Sequence, residues 1–224
     1  MTNDNTTPIT AKEYDKKINA TIPYLQEFYT QTMDVIEQCG FSKFTWMDLG
    51  CGTGTLEELA LQRFKDVTFT LVDPSEKMLE QAKAKLKNPH ITYQCATSCD
   101  ITYLDSFHVI TAIQSHHYMK ENEREIATQN IYRALKSGGV YITFENVIPE
   151  DDSIKAMELL RWGRYQQSHG KTAEEVRLHN ARCGVNYFPI TVQQHTDLLK
   201  NTGFHRVHVF WYSYMQMGIY GMKL

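Results

Sequence analysis

The run Met47-Asp48-Leu49-Gly50-Cys51-Gly52-Thr53-Gly54 combines a leading acid with three alternating glycines. Glycine removes the Cβ atoms that hold a ligand away from the main chain, and it permits positive φ. A second acid, Asp73, stands about 20 residues beyond the glycines, the spacing at which a carboxylate meets a pair of ribose hydroxyls in a nucleotide-binding βαβ unit. The loop lacks the Gly-x-Gly-x-x-Gly order of dinucleotide sites and the lysine of a phosphate-gripping loop. Further along, His116, His117 and Glu145 could support proton transfer. A histidine titrates near neutrality and can accept a proton, and a carboxylate can orient a cationic or hydroxyl-bearing molecule. The competing expectation is structural. One histidine would pack against a helix with the other solvated, and Glu145 would pair with an arginine.

Residues 44–46 read as a strand leading into the glycine loop, and residues 55–61 as the start of a helix leaving it. Residues 67–72 form a second strand that delivers Asp73, with further strands at 91–96, 107–112 and 140–144. Residues 75–87 are a helix with a Ser75 N-cap and lysines at its end. Residues 121–136 are another. The apolar positions Ile18, Ile22, Leu25, Phe28, Met33 and Ile36 have helical spacing interrupted at Pro23. Helices are also expected at 153–167, after Thr172, and at 193–202 closed by Gly203, with runs 206–212 and 216–223 as a hairpin at the sheet edge. Strands alternating with helices predict an α/β fold with a mostly parallel seven-stranded sheet and ligand binding at the strands' C-terminal ends. His116, His117 and Glu145 fall at that mouth. One domain is expected, with an N-terminal helical lid (1–40), a ligand-binding core (41–146), a helical cap (147–190) and a terminal helix and hairpin (191–224).

The glycine loop resembles motif I of the class I S-adenosylmethionine-dependent methyltransferases. Val72-Asp73-Pro74-Ser75 with Met78-Leu79 resembles their second motif, Cys99-Asp100-Ile101 their third, and residues 133–140 the helix-turn-strand signature that follows. The resemblance implies a Rossmann-like fold, S-adenosylmethionine as cofactor and S-adenosylhomocysteine as product. The cofactor contacts it implies are Asp48, Gly50, Cys51, Gly52, Asp73, Pro74, Met78, Asp100, Ile101 and Ile113. Asp73 would hold the ribose and Asp100 the adenine, while Cys51 need only be small. A looser likeness covers nearly the whole chain, through Thr21-Ile22-Pro23-Tyr24, Glu145, residues 170–175 and Gly203-Phe204 with the closing hairpin. It is to the branch containing the carboxy-S-adenosylmethionine synthase of wobble-uridine tRNA modification. It implies that Tyr24 closes over the cofactor. This chain departs from that branch after its fourth strand, where 112–117 read Ala-Ile-Gln-Ser-His-His in place of an asparagine. The branch's carboxylate-holding arginine is matched by Arg182 only across a gap.

With 224 residues, 42% of them hydrophobic, the chain can bury a sizeable core. A net charge of −3 provides no general polyanion surface, so nucleic acid is not the expected partner. No run is long and apolar enough for a bilayer span, and residues 1–5 lack a leader pattern. Five cysteines without a framework suit reduced thiols in a cytoplasm, and Cys95, Cys99, His116 and His117 fit no standard zinc spacing, so no metal is expected. The basic and aromatic run Arg161-Trp162-Gly163-Arg164-Tyr165 with His169 suits either an anionic acceptor or a helix with Trp162 buried and both arginines in water. The reading that follows is methyl transfer to a small-molecule acceptor by a monomer or homodimer. The alternatives are carboxy-S-adenosylmethionine synthesis, RNA methylation or cofactor binding without catalysis.

Overall fold

The computed structural model describes residues 7–224; of the expected N-terminal lid (1–40), residues 1–6 lie outside them. Strands β1 (Phe44–Leu49), β2 (Val67–Asp73), β3 (Ile91–Cys95), β4 (Phe107–Ile113), β5 (Leu135–Asn146), β6 (His205–Ser213) and β7 (Gln216–Met222) form one sheet in the order β3-β2-β1-β4-β5-β7-β6. The first five are parallel, and β7 runs antiparallel to both β5 and β6. This is the expected Rossmann-like sheet with its terminal hairpin. Order reverses between β1 and β4, which opens a crevice at the carboxyl ends of those strands.

Helices α1 (Tyr14–Lys17), α2 (Leu25–Gln38), α3 (Thr55–Arg63), α4 (Glu76–Lys85), α5 (Glu121–Ala134), α6 (Asp152–Ser168), α7 (Ala173–Ala181) and α8 (Val192–Thr202) cover the sheet or its rim. Strand alternation sends Trp46, Phe69, Val109 and Ile142 to the face covered by α2 and α3. Met47, Val72, Ile110 and Tyr141 go to the face covered by α5 and α8. All eight are buried, each contributing roughly 1.5–3 kcal/mol by area. Local chemistry sets the helix starts. The Ser75 hydroxyl accepts from the Met78 N–H, and Thr172 with Glu175 and Thr191 with Gln194 form reciprocal capping boxes. Gly203, at φ 114°, ends α8 in a conformation that disfavours side chains.

Two boundaries differ from expectation. α5 stops at Ala134 because Leu135 turns fully into the core and pairs with Phe107, so β5 starts there. The N-terminal segment breaks into 3-10 turns at Ala11–Glu13 and Ile18–Ala20 around the short α1, and α2 begins only after Pro23 and Tyr24. A third apolar cluster joins Ile22, Leu25 and Phe28 to Phe144 and Trp162. The Trp162 indole N–H donates to the Thr21 carbonyl at 2.7 Å. This contact ties α6 to the N-terminal segment while Arg161 and Arg164 stay exposed.

Candidate active site

The glycine loop joins β1 to α3 at the crevice. Gly50, Gly52 and Gly54 all have positive φ, as the sequence requires of them. At Gly50 a Cβ would stand 2.5 Å from the Ser115 Cβ, whose own hydroxyl is tied to the Leu49 carbonyl. Gly50→Ala therefore meets both a clash and a left-handed backbone, each costing about 1–3 kcal/mol. A clear fall in thermal midpoint is the expected result, and an unchanged one would mean the loop tolerates a side chain there. Gly52 has open space in the direction of its missing Cβ, leaving bare backbone at the cavity wall.

That cavity encloses about 620 Å³, within the range of small-molecule sites. Its wall includes Gly50, Gly52, Asp73, Pro74, Met78 and Ile113. Asp73 is 7% exposed. One of its oxygens accepts the Gly52 N–H at 2.9 Å and the other the Ser75 N–H at 2.8 Å. Burial raises its pKa, against those two donors. Each oxygen keeps a lone pair for a further donor, which suits a vicinal diol. Among the described residues, the wall carries the acids Asp73 and Glu123 and no lysine or arginine. Such a donor set fits a cationic nucleoside and does not fit a pyrophosphate. The site therefore fits S-adenosylmethionine.

A recess of about 40 Å³ opens off this cavity below the loop, lined by Asp48, Cys51, Tyr14, Tyr29 and Gln114. The buried Asp48 carboxylate accepts from the Thr111 hydroxyl, which itself accepts the Trp46 indole N–H at 2.8 Å. Thr7 and Tyr14 roof the cavity from the N-terminal segment. Asp15 latches that roof to the loop. It accepts from the Thr53 and Thr55 hydroxyls and from the Lys85 ammonium at 2.8 Å, and Lys85 also reaches Thr55. Because the pair is partly exposed, each contact is worth under about 1 kcal/mol. Asp15→Ala should speed ligand release several-fold with little loss of fold stability. Stopped-flow release with an unchanged rate would mean that the roof is held elsewhere.

The two histidines diverge. Both ring nitrogens of His116 are engaged, Nε2 with the Ser98 hydroxyl at 2.9 Å and Nδ1 with the Tyr141 hydroxyl at 3.1 Å. Burial lowers its pKa to about 4, so the ring is neutral. His117 instead makes a hydrogen bond of 2.9 Å from Nδ1 to Glu145. Glu145 also accepts the His116 and His117 backbone N–H groups and the Thr143 hydroxyl. Burial works against its charge, but the hydrogen bond from His117 overrides it and holds the pKa at about 2. Its partner is a histidine, not the arginine that sequence reasoning allowed. His117 lines a second recess of about 30 Å³ with Tyr118, Tyr187, Asn146, His179 and Arg182.

Three expected cofactor residues stand away from the cavity. Asp100 is exposed, and its carboxylate folds back to accept the Thr97 N–H at 3.0 Å and the Thr97 hydroxyl at 2.6 Å. Ile101 is buried in the core between sheet and α5. Tyr24 has φ 57° and is 53% exposed, in a surface groove with Arg164, Tyr165 and Tyr214. Sequence reasoning missed Tyr14, Gln114 and Tyr118, which line both the cavity and the second recess. Gln114 has φ 56°, and its side-chain oxygen is buried without a hydrogen-bond partner. Nothing in the local sequence marks it.

A profile described as "Methyltransferase domain" matches residues 47–139, the span from the glycine loop to the turn before the inner part of β5. The chain is 26% identical over 214 residues to the carboxy-S-adenosyl-L-methionine synthase of Desulforapulum autotrophicum, covering 92% of this chain and 87% of that one. The enzyme of that name from Nautilia profundicola is 25% identical over 201 residues, with coverage of 89% and 86%. Among solved structures, a protein of Methanococcus maripaludis described as an S-adenosyl-L-methionine-dependent methyltransferase superposes with TM-score 0.65 at 19% identity, covering 100% and 95% of the two chains. Phosphoethanolamine N-methyltransferase 2 of Haemonchus contortus, solved with S-adenosyl-L-methionine, gives 0.62 at 16% identity, covering 96% and 60%. At these identities the structural likeness speaks for the fold.

Proposed function

We propose that this chain, which belongs to the class I S-adenosylmethionine-dependent methyltransferase superfamily, transfers a methyl group to a small acceptor held where the main cavity meets the recess beside Tyr118, Tyr187 and Arg182. The observation that carries this reading is the wall common to the two spaces. Thr7, Tyr14, Gln114 and Tyr118 line both the 620 Å³ cavity and the recess. An acceptor group at the mouth of the recess therefore lies next to whatever fills the cavity, as in-line transfer requires. When bound, S-adenosylmethionine supplies a methyl already activated by its sulfonium. The chain's own residues hold, orient and deprotonate. Asp73 holds the ribose hydroxyls. Asp48 faces the ligand's cationic amino-acid end. The ionised Glu145 fixes a proton on His117 Nδ1, leaving the other ring nitrogen to take a proton from a hydroxyl, amine or thiol acceptor. The N-terminal segment and residues 147–190 serve as lid and cap. The Arg182 guanidinium hydrogen-bonds the Tyr118 hydroxyl in the recess wall, which favours an acceptor carrying a carboxylate.

Arg182 also favours a second reading, in which the bound cofactor is carboxylated as the names of the relatives describe. One experiment separates the two. The protein is incubated with S-adenosylmethionine and carboxylate-bearing metabolites, prephenate included, and sulfonium masses are followed. S-adenosylhomocysteine with a methylated acceptor supports methyl transfer. A heavier, carboxylated sulfonium overturns it in favour of the synthase-like reaction.

A further inference from the structure

Glu57 is fully buried in the first turn of α3, beneath the glycine loop. A glutamate at this helix position ordinarily reaches back to the N-cap backbone. Here the N-cap is Gly54, and neither oxygen of Glu57 meets any N–H or O–H donor among the described residues. Its electrostatic partner is the carboxyl of Asp48, which is likewise buried. Two buried carboxylates in contact cannot both be ionised, because their repulsion adds to the desolvation of each. One proton must lie between them. The surroundings decide where it sits. Asp48 accepts from the Thr111 hydroxyl, so its charge is supported, whereas neither Glu57 oxygen has a hydrogen-bonded donor among the described residues.

We propose that Glu57 is a neutral carboxylic acid that donates its proton to Asp48 in a hydrogen bond, and so is the positioning residue that fixes Asp48 as a single negative charge. Asp48 lines the small recess, which shares Tyr14, Gly50, Gly52, Ile113 and Gln114 with the main cavity. Resting on the cofactor reading above, the pair presents one charge to the one ammonium of S-adenosylmethionine. Two charges would oversupply it. The electrostatics agree in direction. Burial, and then Asp48, raise Glu57 well above the ordinary carboxylate range, and burial brings Asp48 to about 6. The other titratable groups around the pair are Asp73 at the end of β2, Cys51 in the loop, Tyr29 on α2, Tyr93 on β3, Tyr141 on β5 and Lys85 on α4. Lys85 is the cation acting on Glu57, and it is already committed to Asp15, Thr53 and Thr55.

The test begins with ligand-free protein. An infrared difference spectrum between wild type and Glu57→Gln should contain the C=O stretch of a protonated carboxylic acid, lost in the variant. Wild type should lose thermal stability as pH rises above the ordinary glutamate value of 4.5, where the unfolded chain gives up the proton that folded Glu57 keeps, and Glu57→Gln should lack this component. Calorimetry with S-adenosylmethionine then reads positioning. Glu57→Gln, neutral and still a donor, should bind within about threefold of wild type, while Glu57→Ala and Asp48→Asn weaken binding about tenfold or more. Absence of the acid band, or Glu57→Gln weakening binding as much as Asp48→Asn, overturns the proposal. Wild type that shows the band but binds no S-adenosylmethionine overturns the cofactor reading instead and leaves the protonated pair standing. Should Glu57→Ala fail to fold, the Gln variant and the spectrum still decide.

Discussion

Asp73→Ala is expected to weaken S-adenosylmethionine binding by about 10–100-fold, corresponding to roughly 1–3 kcal/mol. The loss has two parts. The Asp73 carboxylate, beside the glycine loop, can accept from two neighbouring hydroxyls at once, so the ligand's ribose would lose its partner. The substitution also strands the Gly52 and Ser75 N–H groups, which Asp73 now satisfies at 2.9 and 2.8 Å. The glycine loop thus loses the strut that sets its distance from β2. Asp73→Asn should fall between wild type and alanine, because an amide can accept one of the two N–H groups but must present its own N–H to the other. Isothermal titration on the three proteins measures the series. Equal affinities would remove the ribose assignment while leaving the fold untouched.

Glu145 carries the second large effect, on stability and turnover together. It is fully buried and accepts four hydrogen bonds from three residues. Glu145→Ala leaves those donors unpaired inside the protein, costing about 3–5 kcal/mol. For a domain of this size, that lowers the thermal midpoint by about 10 °C or more. Its pKa of about 2, against an ordinary 4.5, also fixes the acid limb of stability. The ionised form is the one the fold stabilises, so the contribution is complete above about 4.5 and is lost as pH falls toward about 2. It amounts to something on the order of 3 kcal/mol. Glu145→Gln should therefore be less stable at neutrality and show a flatter acid limb, which denaturation across pH would reveal. His117→Ala should lower turnover about 10²–10⁴-fold if the acceptor arrives protonated. His116→Ala should change stability more than the pH profile, since both its ring nitrogens are already bonded. A His117→Ala enzyme with wild-type turnover and pH profile would exclude the base.

The parts legible in the sequence are those governed by short-range rules. Apolar alternation, the Ser75 and Thr172 caps and the Gly203 stop gave the elements to within a few residues. The alternating glycines and the acid at the end of the second strand defined the ligand loop, because each requirement lies within about 25 residues of chain. The exact end of α5 was not legible, since it depends on Leu135 finding Phe107 across the sheet.

The sequence by itself therefore determined the α/β order, the ligand loop and the acids that face it. Tertiary structure alone decided that both ring nitrogens of His116 are bonded while His117 is tied through Nδ1 to Glu145. It turned Asp100 onto Thr97 and Tyr24 into an outer groove, and it brought Glu57 against Asp48. It also built the second recess from Tyr14, Gln114, Tyr118, Arg182 and Tyr187, residues drawn from three separate stretches of chain. The physical reason is range. A backbone pattern is set by neighbours a few residues away. A side chain's partners, and hence its charge and its free lone pairs, are set by whichever distant segments pack against it.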